Sequence, residues 1–167
     1  ILEIKLSDYI QLPDTMVNQK YASTINSLTV NPGTNFLTSN KDHSFNIEDA
    51  QLKAVRISKG VIDVSISNPF NTKTNFIVKL PKAKKNGVTI SQQLSAEAGT
   101  LQNPTIVSTT IDLSGYDIDL RGTGEVGYNL LQSEVAVQTD PNGNQITVTK
   151  YDSTLFSLHM KDIQIEY

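Results

Sequence analysis

Apolar and polar residues alternate one by one along most of this chain. Ile62, Val64 and Ile66 are separated by Asp63 and Ser65, and Phe156, Leu158 and Met160 by Ser157 and His159. A period of two places successive side chains on opposite faces of an extended strand, so these runs predict half-buried strands. Strands with one wet face pair antiparallel, because parallel sheets are normally covered on both sides.

The breaks in the pattern place the elements. Leu2, Ile4 and Leu6 predict a strand at the very start. Residues 7–44 are polar and punctuated by Pro13, Asn31-Pro32-Gly33 and Asn40, which predicts a long excursion packed on the body, with one strand near Ser27–Val30. Regular strands resume at Phe45 and Ile47, and continue through Leu52 and Val55–Ile57 after an irregularity at Asp49-Ala50. Gly60 predicts a bulge or bend in the next run. Asn68-Pro69 ends the Ile62–Ile66 strand, and Pro81 is expected to stop the strand carrying Phe76, Val78 and Leu80. Lys85-Asn86-Gly87 is a tight hairpin signal leading to Val88 and Ile90.

Residues 92–98 hold the one expected helical turn, with Gly99 as its cap. Val107, Thr109, Ile111 and Leu113 predict a strand, interrupted at Ser114-Gly115 and continued by Ile118 and Leu120. Another is expected from Val126, Tyr128 and Leu130 through Val137. Asp140-Pro-Asn-Gly-Asn144 predicts a hairpin returning through Ile146 and Val148. In the last strand the apolar parity flips after Lys161-Asp162, from Phe156, Leu158 and Met160 to Ile163, Ile165 and Tyr167. Such a flip requires a bulge, or a strand crossing between layers.

The fold class expected from this pattern is all-β: an antiparallel β-sandwich of about nine or ten strands, rather than a barrel, with at most one short helical turn. Residues 1–44 form the N-terminal strand and excursion, and residues 45–167 the sandwich body.

Composition agrees and narrows the function. Thr occurs 17 times and Asn 14 times, the first favouring strands and the second turns. A net charge of −3 argues against a nucleic-acid domain, which needs a basic stripe to displace counterions. Lys79, Lys82, Lys84 and Lys85 cluster at a strand end, as a solvated turn or else an anion patch. The absence of Cys excludes a disulfide scaffold, a Cys zinc site and a Cys nucleophile. No run approaches the length of a membrane-spanning helix. The chain starts at Ile1 rather than Met and ends on a strand-like run, which suggests a piece of a larger protein.

Candidate chemistry is thin. No catalytic residues and no cofactor are expected. His43 is read as lying in a polar loop and His159 as facing solvent. The nucleophile-elbow, phosphate-loop and dinucleotide signatures are missing. Asp112, Asp117, Asp119 and Glu125 are the densest carboxylates. They could serve glycoside hydrolysis, which needs two carboxylates at a set spacing, or calcium, which takes several oxygens. A solvated strand face is the competing reading. Asp140 and Asn142 present oxygens at alternate positions like the start of a calcium loop, but position 151 is Tyr rather than the closing Glu. Among the aromatics, Tyr9, Tyr21, Tyr128, Tyr151 and Tyr167 could act as anchors or as core edges.

The run Gly60-Val-Ile-Asp-Val-Ser-Ile-Ser-Asn-Pro-Phe-Asn71, with Thr74-Asn-Phe-Ile-Val-Lys-Leu-Pro81, Ile111-Asp-Leu-Ser-Gly-Tyr116 and Met160-Lys-Asp-Ile-Gln-Ile-Glu-Tyr167, resembles β-modules of large exported envelope and surface proteins of Bacteroidota. The likeness spans about residues 50–167. Asp152-Ser153-Thr154 resembles the three-residue O-glycosylation acceptor of the same group. The Asn68-Pro69 corner is also similar to that of the water-stress β-sandwich of the late-embryogenesis-abundant type. The first resemblance implies an exported, periplasmic or cell-surface location and a non-enzymatic structural or binding role. Partners would be other domains of the parent chain or an envelope protein. Ile163, Ile165 and Tyr167 would form the edge offered to that partner. The second implies a carrier of lipid or another apolar ligand, and the acidic group leaves a calcium- or carbohydrate-binding domain as a further alternative.

Overall fold

The computed structural model describes residues 12–47 and 50–166. The expected strand at Leu2–Leu6 lies outside that range, as do Tyr9 and Tyr167. Eleven strands and no helix are found among the described residues. The first three are β1 (Thr15–Ala22), β2 (Ser27–Val30) and β3 (Asn35–Ser44). Then come β4 (Ala54–Asn68), β5 (Thr74–Lys85), β6 (Val88–Ala96) and β7 (Thr105–Asp112). A short β8 (Asp117–Asp119) precedes β9 (Leu130–Thr139), β10 (Ile146–Thr149) and β11 (Ser153–Ile165).

All strand pairs are antiparallel. One layer runs β1-β11-β4-β7 and the other β6-β5-β9-β3. β8 ties them at one corner, pairing with Ala54–Arg56 of β4 and with Ala83 and Lys84 of β5. β2 and β10 form a separate two-stranded ribbon. The inward faces meet in one core, filled by Ile57, Ile62, Ile66 and Phe156 from the first layer and Phe76, Leu80, Val135 and Leu131 from the second, all 0–1% exposed. Burying each such side chain contributes roughly 1.5–3 kcal/mol.

The expected parity flip is a paired one. In β11 the buried set changes from Phe156, Leu158 and Met160 to Ile163 and Ile165. In β4 it changes from Val55 and Ile57 to Ile62, Val64 and Ile66, with Gly60 at the switch. The register between the two strands shifts after Lys161, where Asp162 has a φ of 55°. Two strands that turn over together keep their apolar faces inward as they bend toward the β8 corner.

Five local expectations are corrected. Gln92–Ala96 is strand, not helical turn, because it pairs with Thr74–Val78 and buries Leu94 and Ala96. Pro81 does not stop β5; its missing N–H falls in a register shift between Leu80 and Lys84, where no ladder bond to β6 is needed. β9 begins at Leu130 and not at Val126, since Glu125 and Asn129 have positive φ and Val126 is 88% exposed. Residues 12–44 contain three strands rather than one, with β1 beside β11 and β3 beside β9. Finally, Asp140–Asn144 turns the chain but makes no hairpin. Both edges of β9 are taken by β3 and β5, so β10 pairs with β2 instead. The Lys85-Asn86-Gly87 hairpin forms as expected, with φ of 51° at Asn86 and 80° at Gly87.

Candidate ligand cleft

Asp119 and Glu125 lie near enough to feel each other's charge, but each acidic residue is held by a partner of its own. Arg56 grips Asp117 with two bonds of 2.8 and 2.7 Å, and Arg121 grips Asp119 at 2.9 and 2.6 Å. Lys82 pairs with Glu125. Asp112 accepts from the hydroxyl of Ser114 at 2.6 Å and its N–H at 2.9 Å. These bonds hold the carboxyls of Asp112, Asp119 and Glu125 below their usual range. Asp140 accepts the N–H of Asn142 at 2.8 Å within its turn. Among the described residues, no group of three or more His, Asp or Glu side chains is arranged to hold a metal ion.

The basic cluster is likewise spread among partners. Lys79 meets Glu134 at 3.3 Å, while Lys85 donates to the carbonyl of Ser114 at 2.8 Å and lies over the Tyr116 ring. Ile163 and Ile165 bury their side chains in the core, and their strand segment pairs on one side with β4. Tyr151 is exposed on a turn beside Lys150, and Tyr21 packs on Phe156 inside the core.

His43 is not in a loop. It sits buried in β3, with Nε2 2.6 Å from the hydroxyl of Ser133 on β9. Burial pushes its imidazole pKa down, opposed by the nearby charge of Asp42. Ser133 exposes none of its surface, so this pair is a hydrogen bond inside the core rather than a nucleophile and base open to substrate.

A cleft of about 520 Å³ opens at one end of the sandwich, where the loops after β4, β6 and β9 converge on β10. Asn68, behind the lining, braces the loops that form it. That side chain is fully buried; Nδ2 donates to the carbonyls of Thr72 at 3.0 Å and Glu97 at 2.8 Å, and Oδ1 accepts the N–H of Phe70 at 3.1 Å. The N–H of Gly99 donates to the carbonyl of Phe70 at 2.8 Å. A Cβ on Gly99 would lie 2.1 Å from the Asn68 carbonyl, so only glycine lets the two loops approach this closely. On the far side the hydroxyl of Thr72 accepts the N–H of Asn144 at 3.2 Å.

The walls combine apolar and neutral polar groups. Phe70, braced edge-on against Phe36 at 5.2 Å, sits with Leu101 and Ile146, and Asn144 and Thr147 add amide and hydroxyl groups. Among the described residues, Asp152 is the one charged group in the lining. In the sequence these positions read as separate turns and a strand; Asn68-Pro69 was the only visible signal of a built corner.

No family model matches the chain, and no curated protein matches it. Solved structures give distant likenesses. One is Broad Bean Stain Virus, at 8% identity and a TM-score of 0.36, covering 92% of this chain and 90% of that one. Another is Eiger TNF from S. frugiperda, at 8% identity and 0.36, covering 90% and 94%. A third is the exo-β-1,3-galactanase of Phanerochaete chrysosporium, at 11% identity and 0.33, covering 89% of this chain and 29% of that one. At these levels no property of those proteins is transferred to this chain.

Proposed function

We propose that this chain is a non-enzymatic binding or structural module of an exported bacterial cell-envelope or surface protein. The observation that carries the binding part is the end cleft, whose walls offer amides, hydroxyls and apolar surface on loops braced by Asn68. Such a lining suits holding a ligand, since Asp152 is its one ordinary acid–base group and that carboxylate is engaged by Thr149. The exported location is supported by the resemblance of residues 50–167 to Bacteroidota envelope modules.

Two measurements test the reading. Antiserum against the chain should label the envelope fraction of the producing cell, and recovery in the cytosol overturns the location. A panel of chromogenic esters, phosphoesters and glycosides should show no turnover above that of the Leu101→Asp protein; turnover specific to the unaltered chain overturns the non-enzymatic part.

A further inference from the structure

We infer that the cleft accepts an extended peptide segment, neutral or basic, which adds as a strand to the outer edge of β10. This rests on the binding-module reading and names the ligand class. In an antiparallel ribbon, alternate residues turn both their N–H and C=O toward the partner strand, and those between turn them away. The N–H of Thr149 donates to Oδ2 of Asp152 at 2.7 Å, and the carbonyl of Thr149 accepts the N–H of Asp152 at 3.1 Å. Thr149 therefore faces away from β2. Ile146 and Val148, paired with Val30 and Leu28, face it. By the same alternation the main-chain N–H and C=O of Thr147 point outward with those of Thr149.

That outward side is the cleft, because Thr147 and Asp152 both line it. β2 is the one strand that pairs with β10 among the described residues. Asp152 covers Thr149, which leaves Thr147 to exchange a pair of main-chain bonds with an incoming strand. A residue of that strand would then direct one side chain across the cleft onto Phe70 and Leu101, the latter 51% exposed. Among the described residues Asp152 supplies the only charge in the lining, so basic side chains are favoured and acidic ones are not.

The probe is a nine-residue peptide of alternating valine and threonine with lysine at each end, and the same peptide with glutamate ends. Amide exchange is followed by NMR. In the free protein Thr147 should exchange faster than Ile146 and Val148. The lysine-ended peptide should slow Thr147 by about ten-fold or more. Thr147→Pro, which removes the donor, and Leu101→Asp, a surface change that keeps the ribbon intact, should each weaken binding by about ten-fold, and the glutamate-ended peptide should bind less well. The proposal is overturned by a Thr147 amide already protected in the free protein, by exchange unchanged at millimolar peptide, or by either variant binding the lysine-ended peptide as tightly as the unaltered chain does. Binding of cellohexaose at the cleft instead would reject the peptide but keep the binding module. Turnover in the chromogenic panel would reject the module itself.

Discussion

A Cβ placed on Gly60 would lie 2.5 Å from Cδ1 of Ile163, so the switch in β4 and the switch in β11 share one small space. Gly60 also has a φ of +149°, which L side chains rarely adopt. Gly60→Ala should therefore destabilise the fold by about 2–4 kcal/mol, from backbone strain plus overpacking. Gly87→Ala, whose Cβ meets nothing within 4 Å at a φ of +80°, should lose only about 1 kcal/mol. Urea midpoints of the two variants read the difference; equal midpoints would deny the shared space.

The buried His43 predicts a pH dependence. Its folded pKa lies below the ordinary 6.5, so the unfolded chain takes up the proton first as pH falls. The contribution of neutral His43 is complete above about pH 6.5 and is lost as pH drops from there toward the folded pKa. The slope should not exceed about 1.4 kcal/mol per pH unit for one group. In His43→Gln this slope should disappear, as read from denaturant melts between pH 5 and 7.5. A slope that persists in the variant assigns it to other groups.

Asn68 braces the loops around the cleft from behind. Asn68→Ala would strand the carbonyls of Thr72 and Glu97 and the N–H of Phe70, at roughly 2–4 kcal/mol for the set. The loops at 69–73 and 97–104 should become the first sites of limited proteolysis. Unchanged cleavage and melting would show the amide to be dispensable.

Core and surface should separate cleanly. Phe156→Ala removes a fully buried ring and should lose about 3–5 kcal/mol. Val126→Ala, at a position 88% exposed, should stay within about 0.5 kcal/mol of the parent. Thermal melts of the pair check this, and comparable losses would contradict the burial described for β11 and the exposure described for the approach to β9.

The strands legible in the sequence are those whose faces differ most: β4, β5 and β11 carry long runs of alternation on either side of a single break, and Asn86-Gly87 has the local chemistry of its turn. Residues 92–96 were misread because Gln-Gln-Leu-Ser-Ala has little preference of its own, and pairing with β5 decides it. His43 was misread because a polar neighbourhood in sequence hides a partner 90 residues away on β9.

What the sequence by itself determined is the extended backbone, the tight turns and the parity change at Asp162, because each follows from side-chain direction and φ preference over a few residues. The tertiary structure alone decided that β10 joins β2, that β8 links the two layers, and that loops from three parts of the chain enclose one cleft. Strand edges are interchangeable in their hydrogen bonding, so the choice of partner depends on which edges the rest of the fold has already filled.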